Sequence, residues 1–543
     1  MNQESPYSLR REWKWLFSLL LIALSVRVWH LATTEVTARD SVHFIRMAWR
    51  MAHQSLREVL PSSTQHPGYP ATILGFNTLI EKIIQNDLPL SMQISSQLVS
   101  ILASLLVIFP SYRFSREIFP PFGAWMGALL IQILPATARL FADGLSESLF
   151  LFFTISAVWW VHAGLKCQSV GRLFVGGFSG GLAYLTRPEG LLVFLVAFGV
   201  VVGFFIKKLV NNPSRGSALL RMACLVLGFF IPALPFVCII GKLTSKPTAM
   251  RILEGEPDSK PASQKNPHEL PVSISSFGGV FWATWYDGES SDGKPGMIWG
   301  LRATLSMMVR GLFFIFWLPA LLCLFQYWEK LVAQPGCWIF SLVAVAIFCV
   351  LVRVASQMGY VSDRHLLLVM VPCYLLAGGY LAKIASDCWK WSGYGASISR
   401  EPFIRLMVIG LSFLIMLGLI ARQTLEPLHS NRAGFKAAGY WIRENGKPGD
   451  EVIDTYCWSH FYAGRVMIEE QKNGLVRSSP PVQWVVLEHG KSRHARLNAP
   501  DEKELVSSQG QKAFFTQLGQ GESYREVVVY KVPLPVPVFS NGP

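Results

Sequence analysis

The chain has 543 residues, 51% of them hydrophobic and only 15% charged, with 18 Trp and 35 Phe. Soluble domains carry about a quarter charged residues, so an ordinary soluble enzyme, a disordered chain and a small disulfide-stapled domain are all excluded. The formal net charge of +14 is read as the Lys and Arg excess of one set of membrane loops, and no nucleic-acid partner is expected.

Apolar runs long enough to cross a ~30 Å hydrocarbon layer recur along the chain. They predict about eleven spans, near 13–33, 90–110, 122–140, 146–163, 170–186, 189–206, 219–241, 301–327, 336–353, 364–384 and 403–421. The first is long enough to remain as an anchor rather than a cleaved signal. Alternate loops carry Arg10, Arg11 and Lys14; Arg113 and Arg116; Lys166 and Arg172; Lys207, Lys208, Arg215 and Arg221; Lys330; and Lys383, Lys390, Arg400 and Arg405. Placing these inside, as the charge bias demands, leaves residues 34–84, 242–300 and 422–543 outside.

The first outer segment holds Val42, Ile45, Trp49 and Ala52 at helical spacing, which predicts an interfacial helix. A second amphipathic stretch, Gly68 to Ile84, is too short and interrupted for a span. The segment 242–300 is rich in Pro, Ser and Gly, and its acids, Asp287, Glu289 and Asp292 among them, do not fit calcium-loop spacing. The tail, 422–543, is domain-sized. It predicts a helix over Ala433–Asn445 ending at Gly446, strands over Glu451–Asp454, Gln483–Glu488 and Glu526–Val532, and a further helix near Gln511–Leu518. The expected organisation is therefore an all-α polytopic membrane domain, 1–421, followed by a small extracytoplasmic α/β domain. The nine Cys form neither a disulfide framework nor a zinc-type C-x-x-C pair.

Ionisable groups at membrane depth are costly, which makes them functional candidates. Arg27, Asp40, His66, Arg139, Asp143, Glu147, Arg187, Glu189, Arg353, Asp363, Arg364 and His365 all map to outer ends of spans or outer loops. A transporter or flippase would place such groups near the midplane, whereas a site at the rim suits chemistry between a lipid head group and an external acceptor. Asp40 sits where the first interfacial helix would begin, either as its N-cap or as a rigidly aimed carboxylate. His66, in Gln65-His66-Pro67-Gly68-Tyr69-Pro70, is held by a tight turn, either as an incidental turn residue or as a donor to phosphate. Arg187 and Glu189 either pair to seal a hairpin or offer planar donors to phosphate. Arg364 and His365 beside a helix N-terminus make an anion site, or else anchor the head-group layer. Glu147, with Asp143 nearby, opens another span, where the helix dipole alone favours an acid. No P-loop, dinucleotide fingerprint, H-E-x-x-H or G-x-S-x-G motif occurs.

Together these stretches resemble integral-membrane glycosyltransferases of the GT-C class, family 39 in particular, which includes protein O-mannosyltransferases and lipid A aminoarabinose transferases. The motifs that carry the resemblance are Arg27, Asp40 with Phe44 and Ala48, His66-Pro67-Gly68-Tyr69-Pro70, Glu147, Gly181 to Pro188 (G-L-A-x-L-T-K/R-P), and Arg364-His365 with Pro372. Ser41 stands where the family has a second acid and Gly68 where it has a second proline. The first departure weakens any role for a divalent metal, so no cofactor is expected.

The resemblance implies a sugar donor on a polyprenyl phosphate and a lipid, glycan or protein acceptor, with transfer inverting at the anomeric carbon. Asp40 would be the general base. His66, Arg187, Arg364 and His365 would hold the donor phosphate, while Glu147, Glu189 and Asp143 would hold the acceptor or brace an Arg. A lipid-linked glycan flippase, a polymerase or ligase, and a noncatalytic scaffold are the competing readings. The chain lacks an N-x-S/T sequon, which is compatible with a bacterial inner membrane with site and C-terminus on the periplasmic side.

Overall fold

The structure, a computed structural model, describes residues 9–211, 215–246, 296–393, 400–447, 450–454, 456–468, 482–490, 500–518 and 525–533. Most of the segment 242–300, with Asp287, Glu289 and Asp292, lies outside these. The chain opens with α1 (Leu9–Thr33), followed by three short helices, α2 (Arg39–His53), α3 (Leu56–Ser62) and α4 (Gly68–Ile80). Next come α5 (Leu88–Arg116), α6 (Pro121–Ile133), α7 (Pro135–Leu140), α8 (Glu147–Lys166), α9 (Val170–Thr186), α10 (Glu189–Asn211) and α11 (Arg215–Ile240). They are followed by α12 (Met297–Gly311), α13 (Trp317–Gln326), α14 (Trp328–Val332), α15 (Pro335–Met358), a 3-10 turn over Asp363–Leu366, α16 (Leu367–Gly393) and α17 (Arg400–Thr424).

Among the described residues, seven helices are long and apolar enough to cross a membrane. The protein is polytopic and all-helical in this part; two of the eleven expected spans are broken, and others depart from a long apolar helix in their described residues. The span near 122–140 breaks at Leu134, which is extended because Pro135 follows it. The span near 301–327 divides into α12 and α13, where Phe313 and Phe314 adopt left-handed φ values of 51° and 61°. The span near 170–186 is a single helix of 17 residues, α9. The span near 403–421 lies within α17, a single helix of 25 residues, of which Leu414–Thr424 is the described apolar stretch.

Arg27, fully buried in α1, holds the α6–α7 break together. Its Nη2 donates to the Gln132 carbonyl (3.0 Å) and to Gln132 Oε1 (2.9 Å), and its Nη1 donates to the Ala138 carbonyl (3.3 Å). These carbonyls flank the break and lack helical partners, so Arg27 belongs to the scaffold and not to the rim site. Helices α9 and α11 cross at close range. A side chain at Gly177, Gly181 or Gly228 would run into the facing backbone there, the small-residue device by which membrane helices approach.

The tail builds a four-stranded sheet from β1 (Glu451–Asp454), β2 (Val482–Gly490), β3 (Gln511–Leu518) and β4 (Arg525–Pro533), in the order β1-β2-β4-β3. The β1–β2 pair is parallel, and the β2–β4 and β3–β4 pairs are antiparallel. Helices α18 (Ala433–Asn445), α19 (Trp458–Tyr462), α20 (Arg465–Ile468) and α21 (Pro500–Gln509) complete it. On one face of β2, Trp484 and Val486 join Phe435 and Ile442 of α18; on the other, Val485 and Leu487 meet Leu505 and Val506 of α21.

The helix expected near Gln511–Leu518 is thus a strand. The helical segment is the preceding one, which starts at Pro500 and stops at Gly510, whose N–H bonds Val506 O at 2.9 Å. Strand β3 carries a bulge between Lys512 and Phe514, which interrupts the two-residue alternation that would have marked it. The apolar face of the tail is continuous with the membrane part. Phe435, Tyr456, Trp458 and Tyr462 share one cluster with Val36, Ala38 and Val42.

Candidate active site

The rim candidates lie at the C-terminal ends of α1 and α9 and the N-terminal ends of α8, α10 and α16, which the fold brings to one end of the bundle. Asp40 is in the first turn of α2, not at its cap: Ala38 holds that position and no side chain caps the helix. The Asp40 carboxylate is instead ion-paired with Arg364 Nη1. Burial opposes ionisation of Asp40, but the Arg364 guanidinium outweighs it, helped by His43 and Arg39, and holds the carboxyl below its usual range. The Asp40 side chain keeps 40% of its surface exposed, so the pair stays within reach of a ligand. Ser41 turns the other way, with Oγ donating to Ser96 Oγ at 3.2 Å.

Arg187 follows α9, and two carboxylates surround it. Its Nη1 donates to Glu147 Oε1 (2.7 Å), its Nη2 to Glu189 Oε1 (3.2 Å) and its Nε to Glu189 Oε2 (3.4 Å). Three of the five guanidinium N–H groups are thereby used, and Arg187 ties α8 to α10. Glu147 also acts electrostatically on Arg364, linking the brace to the Asp40 pair. The remaining buried oxygen of Glu147, Oε2, has no hydrogen-bond partner among the described residues.

His66 is buried, and both its nitrogens are engaged: Nδ1 with Tyr184 O (2.7 Å) and Nε2 with Thr244 Oγ1 (3.0 Å). Burial pushes its pKa down to about 4 against the raising effect of the Tyr184 carbonyl. A neutral imidazole donates from Nδ1 to that carbonyl and accepts at Nε2 from Thr244. His66 therefore joins the α4 turn to α9 and to the segment after α11, and presents no cation to a phosphate. A close approach of the same turn explains Gly68: a Cβ there would lie 2.8 Å from Leu185 O, so the family's proline has no room.

His365 lies inside the field of Arg364, Arg187 and Lys246, so the structure does bring it to the cluster. Asp143 is drawn elsewhere: its Oδ1 meets His429 Nε2 at 2.7 Å, at the junction with the tail. Arg139 is similarly tied to Glu426 Oε2 at 2.5 Å.

Lys246 was not identified from the sequence. Its Nζ lies 3.8 Å from Glu189 Oε1, and Arg364 also acts on it. The available signal was a lysine placed just after a span on the side where the charge bias predicts few. Among the described residues, no three His, Cys, Asp or Glu side chains converge on a metal-sized site. Asp40 is paired with a guanidinium rather than with further carboxylates.

Residues 82–236 match the family model described as dolichyl-phosphate-mannose-protein mannosyltransferase. No curated protein matches the chain by sequence. The oligosaccharyltransferase of Archaeoglobus fulgidus in its apo form is similar in structure, with TM-score 0.53 and 13% identity over 83% of this chain and 63% of that one. The archaeal AglB from the same organism, in complex with an inhibitory peptide and a dolichol-phosphate, gives 0.50 and 14% over 79% and 58%. ArnT from Cupriavidus metallidurans bound to undecaprenyl phosphate gives 0.53 and 13% over 95% of this chain and 98% of that one. The chain thus spans less than two thirds of the archaeal proteins' length and nearly all of ArnT's. The GT-C-like resemblance read from the ordered motifs holds, at these identities, as a likeness of fold.

Proposed function

We propose that the protein is a membrane glycosyltransferase that moves a sugar from a polyprenyl-phosphate carrier to a hydroxyl of a lipid, glycan or protein acceptor, with inversion at the anomeric carbon. The observation that carries this reading is the Asp40–Arg364 pair, half-open to solvent, set against the Arg187, Glu147, Glu189, Lys246 and His365 cluster.

Phosphate leaves carrying its own negative charge, so it needs cations more than it needs a proton. Arg364 and Lys246 supply them, with His365 beside them. A phosphate that engages Arg364 competes with Asp40 for it. The released carboxylate loses the interaction that depressed its basicity and takes up the acceptor's proton as the hydroxyl attacks. The base would then be strengthened only when donor is present, which suppresses wasteful activation of water. Arg187, Glu147, Glu189 and His66 fix the geometry from behind.

Orientation follows from charge. Arg113, Arg116 and Lys166 gather at the opposite end, where Arg116 pairs with Glu12 at 2.7 Å and Lys166 with Glu117 at 2.6 Å. That supports an inside placement of that end, with the site and the tail on the outer, periplasmic side of a bacterial inner membrane. Mass spectrometry of lipid extracts from a strain lacking the protein tests the donor class. A polyprenyl-phosphate-linked sugar should accumulate; an unchanged profile of such lipids, with an unmodified acceptor pool also unchanged, would refute it.

A further inference from the structure

The stretch just before Asp40 has no regular partner for its backbone. Helix α2 starts at Arg39, and its first backbone bond there runs from Ser41 N–H to Ala38 O. Thr37, fully buried two residues before that start, needs partners for both its N–H and its C=O, since an unpaired buried peptide group is costly. Both come from the tail. Thr37 N–H donates to Tyr462 Oη at 3.1 Å, and Trp458 Nε1 donates to the Thr37 carbonyl at 2.9 Å, across 425 and 421 residues of chain.

The two clamping side chains are themselves fixed. Tyr462 and Trp458 are fully buried, and the Tyr462 hydroxyl donates to Gln93 Oε1 of α5 at 2.7 Å. The Arg432 guanidinium lies over the Trp458 ring, 4.2 Å from its centroid. Trp458 follows Cys457, a non-glycine residue at φ 75°, a conformation that persists only where the surroundings enforce it. One residue further upstream of Val36, Lys436 Nζ donates to the Glu35 carbonyl at 2.9 Å.

We infer that Trp458 and Tyr462 are positioning residues for Asp40: the tail holds the backbone three residues upstream of the carboxylate and so sets its approach to Arg364 and the acceptor. This rests on the reading of Asp40 as the base. It also gives the tail a role in the reaction itself, beyond capture of a partner. The site is complete only when the first outer segment and the C-terminal domain are docked, and a displacement of about 1 Å at a reacting group costs on the order of 100-fold in rate.

In the full-length protein in lipid nanodiscs, Trp458→Phe removes the indole N–H that reaches the Thr37 carbonyl, and Tyr462→Phe removes the hydroxyl that accepts from Thr37 N–H and donates to Gln93 Oε1. Hydrogen–deuterium exchange of the peptide covering 34–42 and the kinetics of sugar transfer are read on the same samples. Exchange should quicken about tenfold, the ratio expected for one lost hydrogen bond. The kcat should fall about 10- to 100-fold with donor KM within about twofold. Trp484→Phe is the control, since its indole N–H donates to Asp450 Oδ2 at 3.0 Å inside the tail; it should leave both readouts unchanged. Unchanged exchange in both clamp variants overturns the inference, as does unchanged kcat, or an equal fall in the Trp484 control. Asp40→Asn run alongside separates the two levels: if it retains transfer, the base reading fails, and exchange alone decides whether the tail holds Thr37.

Discussion

Replacing Arg187 with Leu strips two carboxylates of their shared cation, one of them deeply buried. Arg187 and Glu147 side chains are 12% and 4% exposed, whereas Glu189 keeps 30% and can rehydrate. A pair of charges about 4 Å apart is worth about 4 kcal/mol at an effective dielectric constant near 20. Most of the loss therefore falls on Glu147, and leaving such a buried carboxylate unpaired costs about 3–5 kcal/mol. The double variant Arg187→Leu/Glu147→Leu removes the orphaned charge, so it should be about 1–3 kcal/mol more stable than the sum of the single effects. Chemical denaturation in mixed micelles, followed by tryptophan fluorescence, measures all three. Additivity within about 0.5 kcal/mol, or an Arg187→Leu protein of nearly native stability that has lost donor affinity, would refute the brace and restore Arg187 as a phosphate ligand.

Burial holds the folded pKa of His66 at about 4, below the ~6.5 of an unfolded imidazole. Its contribution to stability is complete above about pH 6.5 and is lost as pH falls from there toward 4; His66→Gln should flatten the decline of melting temperature across that window. Gly68→Ala places a Cβ 2.8 Å from Leu185 O and should destabilise by about 1–3 kcal/mol. By contrast Gly75→Ala, which meets nothing within 4 Å in the middle of α4, should be neutral or stabilise by up to about 1 kcal/mol; thermal shift in detergent distinguishes them. Asp87 accepts from Leu90 N–H at the start of α5, from Tyr440 Oη (3.1 Å) and from Arg443 Nη1 (2.9 Å). Asp87→Ala should cost about 1–2 kcal/mol and speed limited proteolysis between the membrane part and the tail.

What could be read in the sequence was mainly what periodicity and charge encode locally. Apolar runs marked the long helices. Charges at span termini identified Asp40, Glu147, Arg187, Glu189, Arg364 and His365 as neighbours before any coordinates. The hidden features depend on contacts distant in sequence. The choice of Arg187 as brace is made by carboxylates 40 and 2 residues away, and composition does not say which anion a guanidinium prefers. The neutral state of His66 follows from its burial against Tyr184 and Thr244, on two other segments. The left-handed residues of the break, Phe313 and Phe314, are bulky aromatics, and only Gly311 at the end of α12 hints at it. Strand β3 was concealed by its bulge, and the clamp on Thr37 by more than 400 residues of intervening chain.

The decisive measurement is sugar transfer from a polyprenyl-phosphate donor by Asp40→Asn in proteoliposomes, with Arg364→Ala and the unaltered protein alongside. The account predicts that Asp40→Asn binds donor normally and turns over about 10²- to 10⁴-fold more slowly, while Arg364→Ala loses donor affinity. Near-native turnover by Asp40→Asn at matched expression would contradict it.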